Sequence, residues 1–233
     1  AAWASRHEWR GRVATAAWGP WLGRLLGLTL GLAPTSVLLA GDSLLVQSLF
    51  GSEGKDLYLA AGRIGRGLVT LTTPLAIVLF PKIARSTATG EDTRALGLAL
   101  GAALVVGTVA ALGCTLFPRL TLQVLFGGNP AFLGAASLVP WFAWAMLPLT
   151  AAYTLINNLL ARGEYKSVPA LLAVAGGYAL TLAGLGPALA GRPMVEAFRM
   201  VILVLGGFSL LLMAVAAVYS FRSAAAAKAA RPA

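Results

Sequence analysis

The segment MVILVLGGFSLLLMAVAAVYSF, Met200 to Phe221, has no charged residue and no proline. A helix needs about 20 mostly apolar residues to cross a bilayer. With Val195–Arg199 ahead of it, the stretch from Val195 to Phe221 meets that length. It is one of six such stretches. The others run from Leu25 to Phe50, Leu57 to Phe80, Ala95 to Phe117, Leu133 to Leu160 and Ser167 to Ala190. Turn-forming clusters separate them: Gly51-Ser-Glu-Gly-Lys55, Pro81-Lys82, Gly127-Gly-Asn-Pro130 and Gly191-Arg-Pro193.

The composition of the whole chain agrees. Of 233 residues, 58% are hydrophobic and 11% charged, with a mean hydropathy of +0.81. A soluble domain carries about 25% charged residues, which excludes a soluble globular enzyme here. Disorder is excluded as well, because it requires low hydrophobicity. The expected fold class is all-α: a six-helix transmembrane bundle over residues 25–221. Residues 1–24 are expected to form a cytoplasmic or interfacial segment, or a solvated linker, and residues 222–233 a basic tail. In lipid, helices satisfy every backbone group within the segment itself.

The net charge is +10. If the N-terminus is cytoplasmic, Arg6, Arg10, Arg12, Arg24, Lys82, Arg85, Arg94, Arg162, Lys166, Arg222, Lys228 and Arg231 all lie inside. Only Lys55, Arg119, Arg192 and Arg199 lie outside. Twelve against four is a positive-inside asymmetry with both termini cytoplasmic. The surplus therefore reads as topology and not as nucleic-acid binding. The chain begins Ala-Ala-Trp without an initiator Met, and the expectation is a fragment of a longer protein.

Two arginines stand apart from this pattern. Arg63 and Arg66 fall inside the second span, and Thr70 and Thr73 continue their face at helical spacing. A charge at mid-bilayer costs about 2.5–3.5 kcal/mol or more, so such residues face a cavity or a partner. Asp42 is the acid deepest in a span. It lies about 12 Å from the outer end of the first helix, and Arg66 about 13 Å from the outer start of the second. The short loop makes these helices antiparallel neighbours, which brings Asp42 level with Arg66. Whether the carboxylate meets Arg63, Arg66 or neither stays open at this stage. One reading makes the cluster a packing device. Another makes it a cationic cavity for an anionic headgroup, and a third couples protons through Asp42. Asn157, near the inner end of the fourth span, is a further cavity candidate. Glu196 and Arg199, three apart, read as a surface ion pair. Pro74, Pro140 and Pro148 are expected to kink the second and fourth helices. The glycines of Gly62-Arg-Ile-Gly65-Arg-Gly67 are expected to admit close helix approach.

Catalytic and metal motifs are missing from the sequence. His7 and Cys114 are the sole residues of their types, so neither a Cys- nor a His-based metal site is expected, and no cofactor. The chain is not expected to be an enzyme.

Several stretches together resemble the polysaccharide flippases of the multidrug/oligosaccharidyl-lipid/polysaccharide exporter superfamily. They are Leu39-Ala-Gly-Asp42-Ser-Leu-Leu-Val-Gln47, Asp56-Leu-Tyr58-Leu-Ala-Ala-Gly-Arg63 and Ile77-Val-Leu-Phe-Pro81-Lys-Ile-Ala-Arg-Ser86. Val124-Leu-Phe-Gly127 and Asn157-Asn-Leu-Leu-Ala161-Arg-Gly-Glu-Tyr165 follow in the same order. The resemblance spans roughly residues 25–220. It implies a C-terminal six-helix lobe, with the N-terminal lobe as the missing partner. The implied activity is flipping of a lipid-linked oligosaccharide across the bacterial inner membrane by alternating access. Arg63 and Arg66 would attract the lipid pyrophosphate, while Asp42, Thr70, Thr73 and Asn157 would line the path. An ion-coupled multidrug exporter and a non-transporting membrane scaffold are the alternatives.

Overall fold

The computed structural model describes residues 18–51, 54–71, 92–127, 129–189 and 191–229, and their regular structure is helical throughout. Helix α1 spans Trp18–Leu49 and carries Pro34 in its interior. Thr35 Oγ1 donates to the Leu32 carbonyl at 2.7 Å beside that proline. Helix α2 is described over 54–71. Helix α3, Asp92–Leu116, gives way to the short α4, Pro118–Phe126. The break falls at Pro118, whose fixed φ and missing N–H suit a first helical position. Gly127 closes α4 with φ of 64°, a left-handed conformation that favours glycine.

A 3-10 helix, Pro130–Ser137, follows. Its cap is Asn129, whose side chain accepts from Ala131 N at 3.0 Å. Helix α5 is Val139–Ala161, α6 is Val168–Leu189 and α7 is Met194–Ala229. The expected fourth span is therefore shorter than its apolar stretch. Residues 133–137 are 3-10, so Pro140 lies in the first turn of α5 and does not kink it. Pro148 does lie inside α5, whereas Pro74 lies outside the described residues. At the two ends, α1 already begins at Trp18 and α7 continues through Ala229.

Five helical stretches among the described residues are long and apolar enough to cross a membrane: Trp21–Leu49, Leu96–Leu116, Val139–Ala161, Tyr165–Leu189 and Met194–Ser223. The remaining expected span, Leu57 to Phe80, is described only as far as residue 71. The chain is an all-α polytopic membrane protein.

Helix α5 is the central element. It packs most extensively on α7 and then on α3, while α1 packs on α6. Phe142, Met146, Leu149 and Ile156 of α5 are fully buried. Lipid is as apolar as leucine, so close packing rather than water expulsion holds such helices together. Small residues make that packing possible. A Cβ on Gly206 would lie 3.3 Å from the Ala145 Cβ, and one on Gly65 would lie 2.9 Å from the Phe142 Cβ. Gly62 and Gly65 thus act as expected, but Gly67 has nothing within 4 Å of such a Cβ.

The bundle has two distinct ends. At one, Gly54 meets Met194 and Leu57 meets Gly134. This end gathers the starts of α2, α5 and α7 with α4 and the 3-10 helix. At the other, Gly27 meets Tyr165, and Ser223 donates to Glu164 at 2.9 Å. Here lie the start of α1, the end of α5 and the end of α7. Arg24, Arg162, Lys166 and Arg222 belong to this second end, and Lys55, Arg119 and Arg192 to the first. Of the twelve cations assigned inside, Arg6, Arg10, Arg12, Lys82, Arg85 and Arg231 lie outside the described residues.

Candidate functional site

Tyr58, Gly62 and Arg66 recur every fourth residue, so they share one face of α2. That face meets Asp42 of α1. The Asp42 side chain is fully buried, and Arg66 Nη2 donates to Oδ1 at 2.8 Å and to Oδ2 at 2.7 Å. The Tyr58 hydroxyl donates to Asp42 Oδ2 at 2.9 Å. Arg66 Nε donates to the Leu39 carbonyl at 2.7 Å, and Nη2 also reaches Ser43 Oγ. A Cβ on Gly62 would lie 2.7 Å from Arg66 Nη1, so glycine there leaves room for the guanidinium. Its carbon sits 5.9 Å from the Phe142 ring centroid. Both formal charges are thereby neutralised and hydrogen-bonded, the condition under which a buried pair is tolerated. Tyr58 closes the cluster from below, in edge contact with Phe142 at 4.9 Å and against Phe198 at 5.1 Å.

Arg63 has the opposite surroundings. It is exposed and lines an open groove of about 700 Å³ between α2 and the α3–α4 elbow. Gly67 and Thr70 of α2, Gly113 and Cys114 of α3 and Thr121 of α4 also line it. Leucines and Phe117 make up much of the rest, so the wall is mainly apolar. Thr70 donates to the Arg66 carbonyl at 3.3 Å and Thr121 to the Phe117 carbonyl at 3.0 Å. Their hydrogens are thus spent within their own helices, while their lone pairs remain. Among the described residues, the ion pair is Asp42 with Arg66, and Arg63 has no carboxylate partner.

The stripe read from the sequence therefore splits. Arg66 turns to α1 and Asp42, while Arg63 and Thr70 face the groove. Thr73 lies outside the described residues. Asn157 belongs to neither group, since its Nδ2 donates to the Tyr153 carbonyl at 2.8 Å within α5. Glu196 and Arg199 form no ion pair; Arg199 instead sits over the Trp141 ring, 5.5 Å from its centroid. Sequence reasoning missed Tyr58 and Ser43 as partners of the buried pair. For Tyr58 the four-residue repeat with Arg66 was a usable signal. It also missed Gly113, Cys114 and Thr121, which the α3–α4 elbow brings to the groove. No group of three potential metal ligands occurs among the described residues.

The fold and this site define a multi-pass helical membrane protein in which, among the described residues, a neutralised charge cluster lies beside an apolar groove that carries Arg63. No family model matches the sequence, and comparison with curated proteins and with solved structures returns no significant match.

Proposed function

We propose that this chain is the C-terminal lobe of a flippase that moves a lipid-linked oligosaccharide or polysaccharide precursor across the bacterial inner membrane. Both termini lie in the cytoplasm, as the distribution of Lys and Arg supports. The observation that carries the reading is Arg63, a cation on the wall of an apolar groove that has no carboxylate partner among the described residues. Such a wall suits an amphiphile with an anionic phosphate and a hydrocarbon chain. A polytopic bundle with a charge on a groove wall is suited to guiding a charged molecule along a path.

The Asp42–Arg66 pair refines the mechanism. It holds α1 and α2 as one rigid hairpin, so the groove wall moves with the lobe when two lobes rock about the substrate. With Arg66 engaged by Asp42, Arg63 is the arginine of this helix left to meet a phosphate. A multidrug exporter for cationic drugs would need an available acid, and the Asp42 carboxylate is fully engaged. A scaffold accounts for the paired arginine but gives no role to the groove.

The test is surface-glycan export in cells whose chromosomal copy encodes Arg63→Gln in the full-length protein. Export should fall severely while the protein still accumulates in the membrane. Unchanged export would sink the cavity role. Arg63 alone is the cleaner target, since replacing Arg66 also strips Asp42 of its partner.

A further inference from the structure

Two hydroxyls in the middle of the bundle make no hydrogen bond among the described residues: Tyr178 Oη on α6 and Ser209 Oγ on α7. Both residues are fully buried. Other buried hydroxyls of the bundle behave differently. Thr150 and Thr154 of α5 each donate to the carbonyl four residues back, at 3.0 Å, and Tyr58 donates to Asp42. A helical serine has such a carbonyl within reach as well, yet Ser209 leaves it. The Tyr178 hydroxyl stands at the far end of its ring, away from its own backbone. Buried polar groups of this kind nearly always have a protein or water partner.

Helix packing brings the two to one level. A Cβ on Gly177 would lie 3.4 Å from the Phe208 ring, and the Tyr178 and Phe208 rings stand 5.5 Å apart. Tyr178 and Ser209 are the next residues along each chain from that contact. On its other side the Tyr178 ring lies against α1, where a Cβ on Gly41 would come within 3.1 Å of it. The ring is thus wedged between α1 and α7, beside Asp42, and its hydroxyl is within electrostatic reach of both Asp42 and Arg66. Tyr178 lies ten residues after Val168 and eleven before Leu189, midway along α6 and far from both water faces.

We infer that an internal water molecule is bound between Tyr178 and Ser209, hydrogen-bonded to both hydroxyls. A buried water needs about 2–4 polar partners, and an apolar cavity stays dry. Each hydroxyl here offers a donor and acceptor lone pairs. The water ties α6 to α7 inside the bundle, next to the cluster whose bonds tie α1 to α2. None of this rests on the flippase reading.

The test uses the purified full-length chain in detergent. Brief X-ray irradiation turns bound water into hydroxyl radicals, which mark the side chains that touch it. Tyr178 should be hydroxylated although none of its surface reaches solvent. Phe198, an aromatic buried to the same degree on α7, should stay unmarked. Ser209→Ala should cut the marking of Tyr178 severalfold. An unmarked Tyr178 in the unaltered chain would overturn the proposal, and so would marking that is indifferent to Ser209→Ala. Unfolding in the same detergent gives an independent check. Tyr178→Phe and Ser209→Ala should each shift the equilibrium about two- to tenfold toward the unfolded form, the scale of one hydrogen bond. The double variant should lose no more than the worse single one, because both act through one water. Dry, unpaired hydroxyls give the opposite sign, since each replacement then removes a desolvated polar group and stabilises the chain. That sign, or losses that simply add, would refute a shared water.

Discussion

Arg63 and Arg66 are one residue type, three positions apart on one helix, yet the two sides of α2 treat them differently. On the α1 side, Arg66 meets a fully buried carboxylate, a backbone carbonyl and a serine hydroxyl. On the α3 side, Arg63 meets an open groove and has no carboxylate partner among the described residues. The difference arises in the neighbouring helices. Helix α1 presents Asp42 at the matching depth, whereas α3 presents Gly113 and Cys114. An intramembrane charge therefore cannot be assigned a role from its own helix alone. The partner helix decides whether it holds the bundle together or stays available to a ligand.

The strongest way to break this contrast is Asp42→Ala. It strands the Arg66 charge, and removing one partner of a buried pair costs about 3–5 kcal/mol. Unfolding in detergent should show that loss, and a variant as stable as the parent would deny the pair its structural role. Next comes glycine against glycine. Gly65→Leu drives a side chain into Phe142, an overpacking cost of about 1–3 kcal/mol. Gly67→Leu meets open space and should be neutral or slightly stabilising in the same assay. Equal losses at both positions would contradict the groove. Tyr58→Phe removes one hydrogen bond to the carboxylate, about 1.5 kcal/mol, and leaves the ring contacts in place. Smallest in stability is Arg63→Gln, expected within about 0.5 kcal/mol of the parent, although its effect on export should be the largest of the set. A large stability loss there would give Arg63 the same role as Arg66.

The outline of this molecule was legible in the sequence where hydropathy and length decide. Helices α3 and α6 fall close to their apolar stretches, while α1 starts before its stretch and α7 runs on past the end of its own. Asp42 and Arg66 were legible as level with each other, because rise per residue and a short loop fix relative depth. What depth does not fix is rotation. It did not say that Arg66 turns to α1 while Arg63 turns away, a matter of some 60° around α2. The same limit applies to two adjacent asparagines. Asn157 bonds back to Tyr153, while Asn158 is buried with neither amide atom hydrogen-bonded among the described residues. The start of α5 was misplaced for another reason. Residues 133–137 are apolar but wind as 3-10 after the Asn129 cap, and hydropathy does not distinguish the two windings. The groove was illegible because it depends on the α3–α4 elbow at Pro118, which brings Thr121 back toward α2.

The pairing of Asp42 with Arg66 also bears on how the chain enters the bilayer. Presented alone to lipid, α1 carries an unmatched carboxylate and α2 two unmatched guanidinium groups, each costing about 2.5–3.5 kcal/mol or more at the membrane centre. Presented together, α1 and α2 cancel one charge of each sign before either faces hydrocarbon. The two segments flank only a short loop, so they leave the ribosome almost at once. Inserted together as one hairpin, the two segments would expose to hydrocarbon one charge fewer of each sign than the same helices inserted singly.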